Sequence, residues 1–136
     1  MNNHVKIQKL ATIPLAKGDV RHILKKSDES YNGFGEAYFS WILPNEKKGW
    51  KFHKKMTMNL VVPVGRVLFQ FTKDIEDQSN LMSAEIGEDN YRLITVKPGI
   101  WFSFEGRGES SSLVLNIANI EHDPDESVLY SLSKDT

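Results

Sequence analysis

Nowhere along this chain does an apolar pattern hold a helical period. Strand-length runs recur instead, each closed by glycine, proline or asparagine. Val5 to Ile13 opens the chain and Pro14 ends it. Tyr31-Asn32-Gly33-Phe34-Gly35 turns into Glu36 to Leu43, where Ala37, Phe39, Trp41 and Leu43 share one face. After Pro44-Asn45 comes a short run, Trp50 to His53, then the apolar Met58 to Val64, with Gly65 letting the chain reverse. Val67, Phe69 and Phe71 alternate, and Asp74 to Asn80 is a polar loop. Tyr91 to Val96, Ile100 to Phe104 and Leu113 to Ile120 complete the set, separated by Pro98-Gly99 and Gly106-Arg107-Gly108. Many short strands with such turns predict an all-β sandwich or barrel. Trp41, Trp50, Trp101, Phe102 and Phe104 are expected mainly as packing, with Tyr38 and Trp50 the better candidates for stacking on a ligand.

At 136 residues, 40% hydrophobic and 26% charged, the chain fits one globular domain. A net charge of -1 gives no global attraction to nucleic acid or membrane. The absence of cysteine excludes disulfides and thiolate metal sites. No apolar run reaches the ~18 residues of an ordinary membrane span, and Met1-Asn2-Asn3-His4 carries no signal core, so the cytoplasm is the expected compartment.

The chemistry gathers around Lys51-Phe52-His53. Residues two apart on a strand point to the same side, so Lys51 and His53 are expected together. Thr57 and Asn59 share their parity if no bulge intervenes, which makes them candidates for a polar pocket lining. His53 has the ordinary pKa of a general base near neutrality, about 6.5. Lys47, Lys48, Lys51, Lys54 and Lys55 form a local basic run suited to a diphosphate. The run is too short, and too isolated, for nucleic acid. His122, Asp123 and Asp125 fit no metal cage, and Pro124 makes them a loop cap or lid contact.

Two segments, Lys48-Gly49-Trp50-Lys51-Phe52-His53-Lys54-Lys55-Met56-Thr57 and Val96-Lys97-Pro98-Gly99-Ile100-Trp101-Phe102-Ser103-Phe104, resemble the cupin superfamily. They are most similar to the dTDP-4-dehydrorhamnose 3,5-epimerase-like group and the sugar 3,4-ketoisomerases. Gly33-Phe34-Gly35-Glu36-Ala37-Tyr38 and Asn119 to Glu126 extend the likeness over about Val5 to Glu126. The resemblance implies a single-domain cupin jelly roll, the barrel over about 5–126 and a tail over 127–136. It also implies a homodimer in the cytoplasm, with a nucleotide sugar as small-molecule partner.

Two departures shape the expected chemistry. The ligand positions of metal-binding cupins fall on Lys51, His53, about Met58 and Phe102, a set that does not suit a hard or borderline cation, so neither a metal nor another cofactor is expected. Lys51 stands where the epimerases resembled place their first, proton-removing histidine. Leu113-Val114-Leu115-Asn116-Ile117 lacks the facing tyrosine. The implied activity is metal-free proton transfer beside the ketone of a dTDP- or UDP-linked 4-keto-6-deoxyhexose, by an epimerase or ketoisomerase of surface-polysaccharide synthesis. His53 would be the base, and Lys51 would hold the enolate oxygen or a phosphate. Glu36 would touch the nucleotide, and Tyr38, Trp50, Lys48, Lys54, Thr57 and Asn59 would line the substrate site. The alternative is an altered cupin that binds a nucleotide sugar or glycan without turnover.

Overall fold

A computed structural model describes residues 3–130. The strands in chain order are β1 (Val5–Lys9), β2 (Thr12–Ile13), β3 (Val20–Arg21), β4 (Glu36–Ile42), β5 (Lys47–His53) and β6 (Met58–Val64). They continue with β7 (Arg66–Thr72), β8 (Met82–Gly87), β9 (Arg92–Val96), β10 (Trp101–Gly106), β11 (Ser112–Ala118) and β12 (Ser127–Leu129). One five-stranded sheet has the order β1-β9-β6-β11-β4 and faces a second with the order β12-β5-β10-β7-β8. The paired five-stranded sheets are those of a cupin jelly roll. Among the described residues no helix is long and apolar enough to cross a membrane.

Each strand's place follows from its sequence pattern. Met58 to Val62, apolar except for Asn59, is buried on both faces, and β6 lies in the middle of its sheet. In β7, Val67, Phe69 and Phe71 alternate inward. They meet Leu60, Val62 and Ile94 of the opposite sheet in one core. Gly65 joins β6 to β7 at φ +83°, and a Cβ there would lie 2.2 Å from Ser112 Oγ, so glycine alone fits this turn.

Three sequence expectations change. The expected strand from Val5 to Ile13 is broken after Lys9, because its partner β9 begins opposite, at Arg92. Thr12–Ile13 then leaves the sheet and pairs only with Val20–Arg21, as an exposed hairpin. The stripe on β4 faces outward rather than into the barrel: Phe39 is 62%, Trp41 56% and Leu43 60% exposed. Alternation shows which residues share a face but not which face is inside. Here the inner face belongs to Tyr38, Ser40 and Ile42. The residues after 126 also do more than trail away. Ser127–Leu129 adds β12 to the edge of the second sheet by pairing with His53 to Lys51. Residues 131–136 of the expected tail lie outside the described residues.

Candidate functional site

A cavity of about 240 Å³ lies between the two sheets and draws its walls from both. Its shape depends on an irregularity in β5. Lys51 pairs with Phe102 of β10, but the next pair is Gly49 with Ser103, leaving Trp50 without an opposite residue. Such a bulge re-aims the side chains around it. Lys48 therefore joins Lys51 and His53 in lining the cavity, although strict alternation from Lys51 would turn it away. Gly49 makes the close approach possible. It sits at φ +125°, and a Cβ would lie 2.9 Å from both Phe102 O and Ser103 Cα.

His53 is 5% exposed, and its ring lies nearly parallel to Phe102 at 5.8 Å between centroids. Its Nδ1 is hydrogen-bonded to Glu126 Oε1. Glu126 is itself 2% exposed, and its other oxygen accepts from the backbone N–H groups of Lys55 at 3.0 Å and Met56 at 3.1 Å. Burial pushes the His53 pKa below its ordinary value, and the Lys51 and His122 charges add to that. The bond to Glu126 and its negative charge oppose the shift without reversing it. Burial by itself would raise the Glu126 pKa, but the hydrogen bonds from His53, Lys55 and Met56 hold it below the usual glutamate value. Near neutral pH the pair is thus a neutral imidazole and a carboxylate. A carboxylate can only accept, so Nδ1 carries the proton and Nε2 keeps its lone pair.

Glu126 is the functional group that sequence reasoning missed. It is carried by a one-turn 3-10 helix, Pro124–Glu126, capped by Asp123, whose side chain accepts from Asp125 N at 3.0 Å. Asp123-Pro124 signalled the turn, and the loop-cap reading of this segment describes Asp123. Nothing local distinguished Glu126 from the acids around it.

The opposite wall is formed by β4 and β11. Tyr38 lines it, with its hydroxyl oxygen accepting from Asn116 Nδ2 at 3.0 Å. A tyrosine thus faces the histidine after all, carried on β4 rather than on the Leu113 to Ile117 stretch of β11, and Asn116 of that stretch holds it. Lys48 reaches across from β5, donating to Trp41 O at 2.7 Å and Ser40 Oγ at 3.2 Å.

Several expected site residues lie elsewhere. Trp50, left unpaired by the bulge, is 1% exposed and does not line the cavity, with Lys47 Nζ 5.2 Å from its ring centroid. Thr57 and Asn59 are also turned from the cavity, which Met58 and Leu60 line instead. The bend at Lys54 and Lys55 ends β5, so parity does not carry through to β6. Asn59 donates to Ser30 O at 3.0 Å and accepts from Thr95 Oγ1 at 2.6 Å, and Thr57 N donates to Asn119 Oδ1 at 2.8 Å. Glu36 accepts from His122 N outside the cavity. Lys54 is exposed, with Nζ 3.4 Å from Asp125 O. Of the lysine run, only Lys48 and Lys51 reach the cavity wall.

The four cupin ligand positions, Lys51, His53, Met58 and Phe102, do converge on this cavity. A cation bound there would meet an ammonium, a thioether and a phenyl ring around one imidazole, and that donor set does not fit a metal centre. A larger groove of about 680 Å³ runs past Gly65 and Gly87. It is an open surface cleft, and Arg66 and Arg107 on its rim are engaged with Glu85 at 2.9 and 3.9 Å. Its carboxylates, Glu85, Glu88, Asp89 and Glu109, are all exposed and it holds no histidine, so the smaller cavity, with its buried imidazole, is the better equipped one.

No protein-family profile matches the sequence. The structure of a dTDP sugar isomerase from Desulfovibrio desulfuricans G20 superposes with a TM-score of 0.87 at 32% identity, covering 96% of this chain and 85% of that one. The spore coat polysaccharide biosynthesis protein SpsL of Bacillus subtilis is 22% identical over 129 residues, 93% of this chain and 85% of its own. A probable low-salt glycan biosynthesis epimerase of Haloferax volcanii, Agl13, is 30% identical over 97 residues, 66% of this chain and 62% of its own. With the cupin jelly roll, the cavity between its sheets and this similarity over nearly the whole length, the chain belongs to the family of the dTDP sugar isomerase.

Proposed function

We propose that this protein moves a proton beside the ketone of a dTDP- or UDP-linked 4-keto-6-deoxyhexose, as an epimerase or ketoisomerase of surface-polysaccharide synthesis. The observation that carries the proposal is the buried His53–Glu126 pair in the cavity wall, with Lys51 beside it. Nε2 of neutral His53 takes the proton from the carbon next to the ketone. The electron pair moves into the carbonyl, and the Lys51 ammonium stabilises the oxygen that becomes negative. The Glu126 carboxylate stabilises the imidazolium that forms. Return of a proton to the same carbon gives epimerisation or exchange, and delivery to the neighbouring carbon, with proton transfer between the two oxygens, gives the keto shift. Met58, Leu60 and Phe102 keep the wall around the base apolar, which strengthens each of these interactions.

A cavity of about 240 Å³ is below the ~300–1,000 Å³ that holds a drug-sized ligand. The sugar ring enters it, and the nucleotide stays at the mouth, with Lys48 near the diphosphate. The outward stripe of Phe39, Trp41 and Leu43 on the edge strand β4 supports a homodimer, since contiguous exposed apolar surface marks an interface.

Deuterium wash-in at the carbon beside the ketone, measured on dTDP-4-keto-6-deoxyglucose by mass spectrometry, tests the function. His53→Asn should keep its melting curve and lower exchange by roughly 10²–10⁴-fold. Equal exchange in variant and wild type would move the base elsewhere, with Lys51 the first suspect.

A further inference from the structure

The facing wall holds a polar atom that the chemistry above does not use. Asn116 is 3% exposed and lines the cavity from β11. Its Nδ2 donates to the Tyr38 hydroxyl oxygen at 3.0 Å, while its Oδ1 is buried with no hydrogen-bond partner. Buried carbonyl oxygens are nearly always paired, because an unpaired one forfeits its hydration without compensation. Reversing the amide does not remove the deficit. Oδ1 would then accept from Tyr38, and Nδ2 would take the unpaired place.

The same bond determines what Tyr38 offers. With its oxygen accepting from Asn116, the phenolic proton is left to donate elsewhere, and Tyr38 lines the cavity mouth at 39% exposure. The wall opposite His53 therefore carries a donor, the Tyr38 O–H, next to an acceptor in want of a proton, Asn116 Oδ1. A sugar hydroxyl matches that pair, since it both accepts and donates.

We propose that Asn116, acting with Tyr38, is a specificity-determining residue that reads one hydroxyl of the sugar ring. This rests on the nucleotide-sugar reading given above. In the complex the hydroxyl's proton is donated to Asn116 Oδ1, the amide pivoting within its bond to Tyr38, and its oxygen accepts from Tyr38. A substrate lacking that hydroxyl leaves the acceptor unpaired, which is how a polar site rejects a deoxy analogue.

Titration calorimetry with unreactive ligands tests this. The probes are dTDP, dTDP-glucose and the dTDP-glucose analogues lacking the hydroxyl at carbon 2, 3 or 4. Wild type should bind one of the three analogues about tenfold or more weakly than dTDP-glucose. In Asn116→Leu that penalty should vanish while affinity for dTDP itself stays the same. Asn116→Ser, too short to reach the hydroxyl, should behave alike and serves if the leucine variant does not fold. Equal affinity of wild type for all the sugars, or the same discrimination in both variants, overturns the role of Asn116 and leaves the nucleotide-sugar reading intact. Failure of wild type to bind dTDP, UDP or any of the sugars linked to either nucleotide overturns both.

Discussion

Replacing Glu126 by glutamine tests the acid–base pair in its least obvious part. The change preserves shape and leaves a carbonyl that can still accept the Nδ1 proton, but removes the charge. Both side chains are buried, at 6% and 2% exposure, so solvent screens their attraction little. Two unit charges about 4 Å apart at an effective dielectric of ~20 attract by about 4 kcal/mol. That is an upper limit on the loss of imidazolium stabilisation, because the glutamine dipole retains part of it. At about 1.4 kcal/mol per factor of ten, the plateau rate of proton exchange should fall by roughly 10²–10³-fold. The pH profile separates this from a packing defect. Burial already holds the His53 pKa low, and Glu126 is what opposes that shift. Without the carboxylate, burial and the Lys51 and His122 charges act unopposed, so the acid limb of kcat/KM should move to lower pH as the plateau drops. The assay is deuterium wash-in from pH 4.5 to 8.5, with a melting curve at each pH. A plateau within threefold of wild type, or an acid limb displaced upward, would refute the assignment of Glu126 as the partner of the base.

Stability should follow pH through the same pair. The folded pKa values of His53 and Glu126 both lie below their ordinary values of 6.5 and 4.5, so the unfolded chain binds protons first on acidification. Stability from His53 is complete above about 6.5 and that from Glu126 above about 4.5, each fading as pH falls through the folded pKa; urea midpoints at pH 7.5, 6 and 5 should decrease in wild type and flatten over the upper interval in His53→Asn. Lys48→Ala and Lys51→Ala should each weaken dTDP-sugar binding and lower its salt dependence, while Lys54→Ala, outside the cavity, should leave both unchanged; calorimetry at low and high salt reads the difference. Trp41→Lys should shift the sedimentation coefficient from dimer to monomer, and a wild type that sediments as a monomer would remove the interface proposed on β4.

The fold was written in local patterns and so could be read from the sequence. The runs at Met58 to Val64 and Val67 to Phe71, with Gly65 between, specify a buried strand, a reversal and an alternating strand, and the structure has these elements in β6 and β7. Orientation was less legible. The alternation of Phe39, Trp41 and Leu43 is satisfied equally by facing in or out, and what decides it is the opposite phase, where Tyr38 and Ser40 line a polar wall and Ile42 enters the core. The bulge at Trp50 was invisible for a similar reason. Gly49 is compatible with an ordinary turn, and only its approach to Ser103 across the sheet makes it the hinge of the lysine cluster.

The site was half legible, and the division has a physical cause. His53 and Lys51 lie two apart on one strand, so a local rule placed them together correctly. The groups completing the site come from distant segments: Glu126 is 73 residues from His53, and Asn116 is 78 from Tyr38. Such pairs are created by sheet order and leave no trace in local spacing. Under the proposed mechanism, the two absences that stood out in the sequence are both compensated in this way. The imidazole lacking at Lys51 leaves an ammonium suited to a developing oxyanion, while orientation of the remaining histidine falls to the Glu126 side chain. The hydroxyl lacking on β11 is supplied by Tyr38 of the adjacent strand β4, held by Asn116. A wall in this cavity needs a group of the right chemistry at the right place, and neighbouring strands of a sheet lie only about 4.8 Å apart. A long side chain such as tyrosine spans that spacing, so a functional group can change strands while the wall it serves stays put.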